Sequence, residues 1–476
     1  MTCKDEAVTM PDIREKTISR RDFLAQASAL AALPALLPVP SLACQTSPTM
    51  ITIDRVDANF EREPLIRPFG FKGGFLTEIW QSVALMQSTS GHRGIGLGTQ
   101  NVLWSDAGVF EAHTESGGNT LMYALTEYAL QRARGMAFET PLDLLDALLD
   151  DVYDYGKRVT GNPDLRKTFA LNALVAVDNA AWLLYAAEHG LTTFDALIPE
   201  AYSAGLAHRH EHVISVPSIA YTIPIEEIEE AAQQGYFFMK IKLGMPGSQQ
   251  EMLEQDRARL TAIHNAIGHL ETPHTANGQL PYYFDPNGRY QSKETLLRLL
   301  DHADKIGALD QIAVFEEPFP EHLDVDVSDL GVPVAADESA HTDEDVAQRI
   351  GMGYSAIALK AIAKTLSMTM KMAQVAHDHG VPCLCADLTV NPILVDWNKN
   401  VAARLAPLPG FKAGLMETNG HQNYKHWDRM AGYHPRAGAS WTQTRDGLFH
   451  LDQAYYDEGG GILLTSDHYE QMFPAR

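Results

Sequence analysis

From about residue 213 the chain alternates short apolar runs with stretches whose apolar residues recur every three to four positions. The runs are Ser215–Ile223, Tyr236–Lys242, Tyr282–Asp285, Ile312–Glu316, Val332–Asp337, Ala356–Lys360, Pro382–Asp387 and Ala413–Glu417. Their length and their aromatic and β-branched content predict buried strands. Between them, Glu251–Ile267 sets Leu253, Leu260, Ile263 and Ile267 at helical spacing, and Thr295–Ile306, Thr342–Ile350, Ser367–Asp378 and Val395–Leu405 read the same way. Gly235, Gly307, Gly351 and Gly380 stand where helices end. Eight such repeats predict an α/β fold, a parallel (β/α)8 TIM-type barrel over residues 213–420. An open doubly wound sheet is the alternative, but eight strands without a central reversal favour closure.

Residues 50–205 follow another pattern. An apolar run near Ile51–Val56 and a β-like segment Thr77–Gln87 lead to Gly94-Ile-Gly-Leu-Gly98, and helical stretches follow at Pro141–Tyr155 and Leu171–His189. This predicts an α+β companion domain to which residues 421–476 return. The three glycines could cradle a phosphate, but no helix start follows them, so the sequence favours a hairpin turn there.

Composition narrows the partners. Of 476 residues, 45% are hydrophobic and 21% charged, as in an ordinary globular protein. A net charge of −24 argues against nucleic acid, which needs clustered cations. Four cysteines are too few for a disulfide framework. At the N-terminus, Ser19-Arg20-Arg21-Asp22-Phe23-Leu24 precedes an Ala/Leu-rich stretch and small residues at Ser41 and Ala43. Residues 1–43 therefore read as a twin-arginine export signal, and a periplasmic location is expected. Cleavage after Ala43 would expose Cys44 for lipid anchoring, although Ser41 stands where a lipoprotein signal usually has Leu. No other segment reads as a membrane span.

The chemistry sits at the ends of the predicted strands. Lys240-Ile-Lys242, Asp285-Pro-Asn287, Glu316-Glu317, Asp337-Glu338 and Lys360 close five successive runs. In a parallel barrel the strand C-termini gather around one mouth, and residues i and i+2 share a face. Lys240 and Lys242 then point inward together, as do Asp285 and Asn287. Asp285, Glu316 and Asp337 on neighbouring strands offer three hard oxygen ligands, which suits Mg²⁺, with Mn²⁺ as a substitute. Strict alternation turns Glu317 and Glu338 to the other face, behind the ligands. Lys242 and Lys360 end strands four apart in an eight-stranded ring, on opposite sides. A carboxylate substrate held between them could lose its α-proton to one lysine and regain it from the other, inverting the centre. The cation would stabilise the enediolate, and burial beside the cation and Lys240 would favour the neutral amine that a base requires.

This succession of motifs resembles the enolase superfamily, and its two-lysine pattern resembles the muconate lactonizing enzyme-like subgroup of the mandelate racemase/muconate lactonizing enzyme family. That subgroup includes dipeptide epimerases and o-succinylbenzoate synthases. The resemblance implies Asp285, Glu316 and Asp337 as metal ligands, Lys242 and Lys360 as the acid/base pair, and residues 50–205 as a capping domain. Phe69-Gly-Phe-Lys72 and Leu171–Leu184 have the look of that domain. Two departures stand out: Ala361-Ile-Ala-Lys-Thr-Leu where the family usually shows a Gly-Gly pair, and Leu388-Thr-Val-Asn-Pro392 after strand seven. The strand-seven His and strand-six Asp of mandelate-racemase-type members are missing, which lowers sugar-acid dehydratases in rank.

The expectation is a Mg²⁺-dependent racemase or epimerase of a small-molecule carboxylate, with an amino-acid or dipeptide derivative favoured. Cycloisomerisation and syn-dehydration are the alternatives within the same chemistry. An exported, non-catalytic binding protein on a degenerate barrel is the alternative of another class, and a homo-oligomer stays open. Asp387, Glu417, Phe71, Lys72 and Trp104 are candidates for substrate contact. Cys383 and Cys385 read as core rather than soft-metal ligands. His208-Arg-His210-Glu-His212 could suggest a metal-dependent hydrolase, but it precedes strand one, at the wrong end of the barrel.

Overall fold

The computed structural model describes residues 50–72 and 74–474. The export signal expected over residues 1–43 and Cys44 lie outside the described residues.

The N-terminal domain is a three-stranded antiparallel meander, Ile51–Phe71, Gly74–Ser88 and Arg93–Gln100, with the short strand Ala137–Phe138 on its edge. Three helices cover it: Ala107–Ala133, Pro141–Thr160 and Lys167–His189. The second has clear start and stop signals. Thr140 and Asp143 form a reciprocal capping box, Pro141 opens the helix, and Gly161 ends it at φ 65°.

The Gly94/Gly96/Gly98 segment is the third strand, not a hairpin turn. Its glycines are required by the helix on top of it. A Cβ on Gly96 would lie 2.1 Å from the Ala176 carbonyl oxygen and 2.1 Å from the Ala180 nitrogen, and one on Gly94 would lie 2.1 Å from the Ala180 oxygen. Without side chains on that face, helix Lys167–His189 rests its backbone directly on the sheet. That helix is apolar enough to cross a membrane, yet 89% of its most hydrophobic window is buried inside the protein, so here it is a core helix. Gly96→Val should therefore lower stability by about 3 kcal/mol or more, as overpacking of a filled interior does. A urea midpoint equal to that of the wild type would contradict this seating of the helix.

The second domain is a closed barrel. Its parallel strands are Met239–Lys242, Tyr282–Asp285, Ile312–Glu316, Val334–Ala336, Ala356–Leu359, Cys383–Cys385 and Gly414–Glu417, numbered two to eight. Strand one is interrupted at Pro217. Its first part, His212–Val216, pairs with strand eight, and Ser218–Ile219 pairs with strand two. A proline has no N–H for a ladder, so the strand changes neighbours there and the ring closes. Strand one thus stops at Ile219, short of the expected Ile223, and the chain turns there into a helix unforeseen from the sequence, Ile225–Gln233. The fourth crossover differs as well: Glu317–Pro333 runs from strand four to strand five with no helix. The other long connections carry helices, among them Gln249–Ile267, Lys293–Lys305, Asp343–Gly351, Leu366–Asp378 and Pro392–Ala402.

The segment from residue 421 touches both domains. Tyr424 bridges Leu65, Arg429 holds the Glu63 carboxylate at 2.6 Å, and His468 meets Glu61 at 2.8 Å. Within it, the hairpin Thr444–Arg445/Leu448–His450 adds antiparallel to strand one. His210 Nε2 donates to the Leu405 carbonyl, 2.8 Å away, at the N-terminal end of the barrel. The histidine cluster is thus remote from the mouth, as a connector would be.

Candidate active site

The strand ends bring Lys240, Lys242, Asp285, Glu316, Asp337 and Lys360 together, all buried. Lys240 lies deepest. Its ammonium donates to Glu316 Oε1 at 2.7 Å and Glu417 Oε2 at 3.2 Å, lies 3.0 Å from Asp285 Oδ2, and sits 5.1 Å above the Tyr283 ring. Burial alone would favour the neutral amine, but three carboxylates outweigh it and hold Lys240 well above the usual lysine range. It is a fixed cation that positions acids from strands three, four and eight.

Lys242 donates to Asp285 Oδ2 and, at 2.9 Å, to Asn287 Oδ1. Across the ring, Lys360 donates to Asp337 Oδ2. Burial pulls the Lys360 ammonium down, and the Asp337 carboxylate more than reverses this. Each of the two lysines therefore has its own aspartate. Asp285 and Asp337 are correspondingly held below the ordinary carboxylate range, because their lysines outweigh the burial that would raise them.

Glu316, Asp337 and Glu338 offer oxygens that all lie within 4.8 Å of one another. Asp285 is not in this group, since one of its oxygens faces Lys240 and Lys242 and the other accepts the Asn287 amide at 2.8 Å. The grouping thus adds Glu338 to the expected Glu316 and Asp337, and strict alternation fails at the strand ends. Glu317 has left the strand at φ 38°, and its Oε2 accepts the Asp337 amide at 2.8 Å. Both Glu317 and Glu338 are buried at the mouth. Burial, with Glu338 beside it, pushes Glu317 up to about 8. Glu317 Oε1 and Glu338 Oε2 are buried with no hydrogen-bond partner among the described residues. Orphaned carboxylate oxygens beside an all-oxygen cluster fit a hard divalent cation well.

The N-terminal domain reaches over this centre. The Trp104 ring lies 4.4 Å from the Lys360 ammonium. Lys72, at φ 48°, donates to the Trp104 carbonyl at 3.3 Å and lies 3.2 Å from Glu338 Oε1. Burial outweighs Glu338 and lowers the Lys72 ammonium. Phe71 is buried beside it. The Asp387 carboxylate is engaged by backbone amides. Its oxygens accept the amides of Leu388 at 2.7 Å and Asn419 at 2.8 Å, so it braces the loop after strand seven. Glu417 accepts the Asp387 amide at 3.0 Å as well as Lys240. Cys383 and Cys385 are buried free thiols, with Cys383 pushed up to about 12 by burial.

Two contributors were not anticipated from the sequence. Lys364, fully buried, donates to the Asp337 carbonyl at 2.7 Å and to Asp337 Oδ1 at 3.2 Å. Its one signal was a lone cation in the apolar stretch Ala361-Ile-Ala-Lys-Thr-Leu, one helical turn past Lys360. Arg166 forks onto Glu321 at 2.7 and 2.6 Å and donates to the Glu338 carbonyl at 3.1 Å, tying the N-terminal domain to two barrel loops. Nothing local marked it.

The turn carrying Lys360 and Lys364 is fixed from the N-terminal domain too. Asp178 accepts the amides of Leu366 at 2.9 Å and Ser367 at 3.1 Å, at the start of helix Leu366–Asp378. Burial nevertheless pushes the Asp178 carboxyl from 3.8 up to about 6. A carboxyl raised on folding contributes stability below its unfolded value of 3.8 that is lost as the pH climbs towards about 6. Asp178→Asn should flatten the pH dependence of stability in that window. Urea curves with the same pH slope for both proteins would contradict this.

The fold and the site together define a capped (β/α)8 barrel with lysines and carboxylates at its mouth. Residues 225–444 match the family described as Enolase C-terminal domain-like. No curated protein matches the sequence. Among solved structures, a dipeptide epimerase from Enterococcus faecalis complexed with Mg and L-Leu-L-Tyr is 16% identical at a TM-score of 0.58, over 86% of this chain and 99% of that one. A mandelate racemase/muconate lactonizing protein from Herpetosiphon aurantiacus is 19% identical at 0.60, over 86% and 97%. An L-talarate dehydratase from Polaromonas complexed with Mg and L-glucarate is 17% identical at 0.56, over 84% and 93%. These structural neighbours are members of the enolase superfamily, and at such identities the likeness is one of fold.

Proposed function

We propose that the protein is a divalent-metal-dependent racemase or epimerase that exchanges the proton α to a substrate carboxylate, with a dipeptide or N-acyl amino acid favoured. One observation carries the reading: two buried lysines, Lys242 and Lys360, end strands four apart in a closed ring of eight, each on its own aspartate, with the acidic cluster on the strands between. Glu316, Asp337 and Glu338 would hold the cation, with Asp285 joining them on release from its lysines. A hard cation such as Mg²⁺, when bound there, supplies fixed positive charge to the carboxylate as the adjacent proton leaves. Lys240 keeps the acids in place. Lys242 and Lys360 take and return the proton on opposite faces of the α-carbon, and Trp104 and Lys72 shield the mouth from water. The twin-arginine segment supports export of the folded enzyme.

The test is incubation with Mg²⁺ in deuterated water with dipeptides and N-acyl amino acids. Deuterium should enter an α-carbon while optical rotation falls, and EDTA should stop both. Loss of water or ring closure without racemisation would support the dehydratase or cycloisomerase alternatives. Binding that is indifferent to EDTA, without turnover, would support the binding-protein reading.

A further inference from the structure

One cation at the mouth has no side-chain partner among the described residues. Arg289 lies on the loop after strand three, two residues beyond Asn287, and lines a cavity of about 440 Å³ shared with Asn287, Glu317 and Glu338. The other basic side chains from the N-terminal domain that line it are engaged: Lys72 faces Glu338 and Arg166 is forked onto Glu321. Arg289 has neither a side-chain hydrogen bond nor an ion pair among the described residues, and its Nε is buried without a partner.

The loop holds that guanidinium in place. Gln249 Nε2 donates to the Arg289 carbonyl at 2.8 Å, and Gln249 Oε1 accepts the Gln291 amide at 2.9 Å. The aliphatic stem crosses Gly244, which has φ +78°. A Cβ there would come within 3.0 Å of Arg289 Cβ and Cδ. A buried guanidinium Nε–H with no acceptor is costly to keep unless a ligand brings one.

We propose that Arg289 forms a second anion subsite, so that the substrate carries a second carboxylate away from the reacting carbon. A guanidinium offers two parallel N–H donors that match a carboxylate, and the cavity connects this fork to the acidic cluster. This rests on the reading that the first carboxylate binds at that cluster.

N-acetyl-L-glutamate and N-acetyl-L-glutamine differ only by a distal carboxylate against an amide. In calorimetric titrations of the full chain with Mg²⁺, the glutamate compound should bind at least about tenfold more tightly, the scale of a hydrogen bond to a charged group. Arg289→Met should erase that preference, and Arg289→Lys, which keeps charge but not the fork, should retain part of it. Equal affinities in the wild type, a preference that survives Arg289→Met, or no binding of N-acetyl-L-glutamate at millimolar concentration would overturn the subsite. Deuterium exchange on the same two compounds separates the two ideas. A binding preference without exchange at either α-carbon keeps the subsite and removes the epimerase reading. Exchange without a preference does the reverse.

Discussion

Asp337→Ala is expected to lower stability by about 3–5 kcal/mol, the cost of breaking a buried ion pair by removing one side. Asp337 is fully buried and faces two ammonium groups, Lys360 and Lys364. Lys364 has one other partner, the Asp337 carbonyl, which carries no countercharge. Removing the carboxylate leaves two buried cations in a low-dielectric interior without their countercharge. The effect also has a direction in pH. Asp337 is held well below its usual value of 3.8, so its contribution is present above 3.8 and is lost as the pH falls below it. Lys364→Met in the Asp337→Ala background should restore part of the loss, with a coupling of about 0.5–3 kcal/mol in the double-mutant cycle. Urea denaturation followed by circular dichroism measures all three proteins. Additive single effects, or a wild-type midpoint for Asp337→Ala, would show that the two lysines do not depend on this carboxylate.

Lys242→Ala and Lys360→Ala are each expected to reduce racemisation by about three orders of magnitude, within the range for loss of a positioned acid or base. Each lysine has its own aspartate, so neither can stand in for the other. The loss should appear in kcat, because the acidic cluster that would hold substrate is built from other side chains. Lys240→Ala should behave differently. It releases Asp285, Glu316 and Glu417 together, so metal affinity and stability should fall along with rate. Racemisation by Lys242→Ala at the wild-type rate would remove that lysine from the chemistry.

The barrel was legible because each strand is a short apolar run and seven of the eight runs end in a charged residue. The constraint that gathers those residues is local: a parallel strand delivers its last side chains to one mouth. What was not legible depends on contacts distant in sequence. Gly94, Gly96 and Gly98 look like turn residues by composition, and only the helix at Ala176–Ala180 shows why a strand carries them. Arg166 looks like any loop arginine until Glu321, which lies 155 positions away in sequence, is placed beside it. Helix Ala107–Ala133 includes Gly117 and Gly118 and has a kink at Thr114, so its periodicity is blurred. At the centre, alternation works within strands and fails one residue beyond them, where Glu317 adopts positive φ. That is why Glu338 stands with Glu316 and Asp337 although period-two reading turns it away.

The most direct test of two amines working from opposite faces uses the single-lysine variants and the separate enantiomers of one accepted substrate. With Mg²⁺ in deuterated water, Lys242→Ala should still exchange the α-proton of one enantiomer, and Lys360→Ala that of the other, while neither interconverts them. Exchange of the same enantiomer by both variants, or full racemisation by either, would contradict the two-face arrangement.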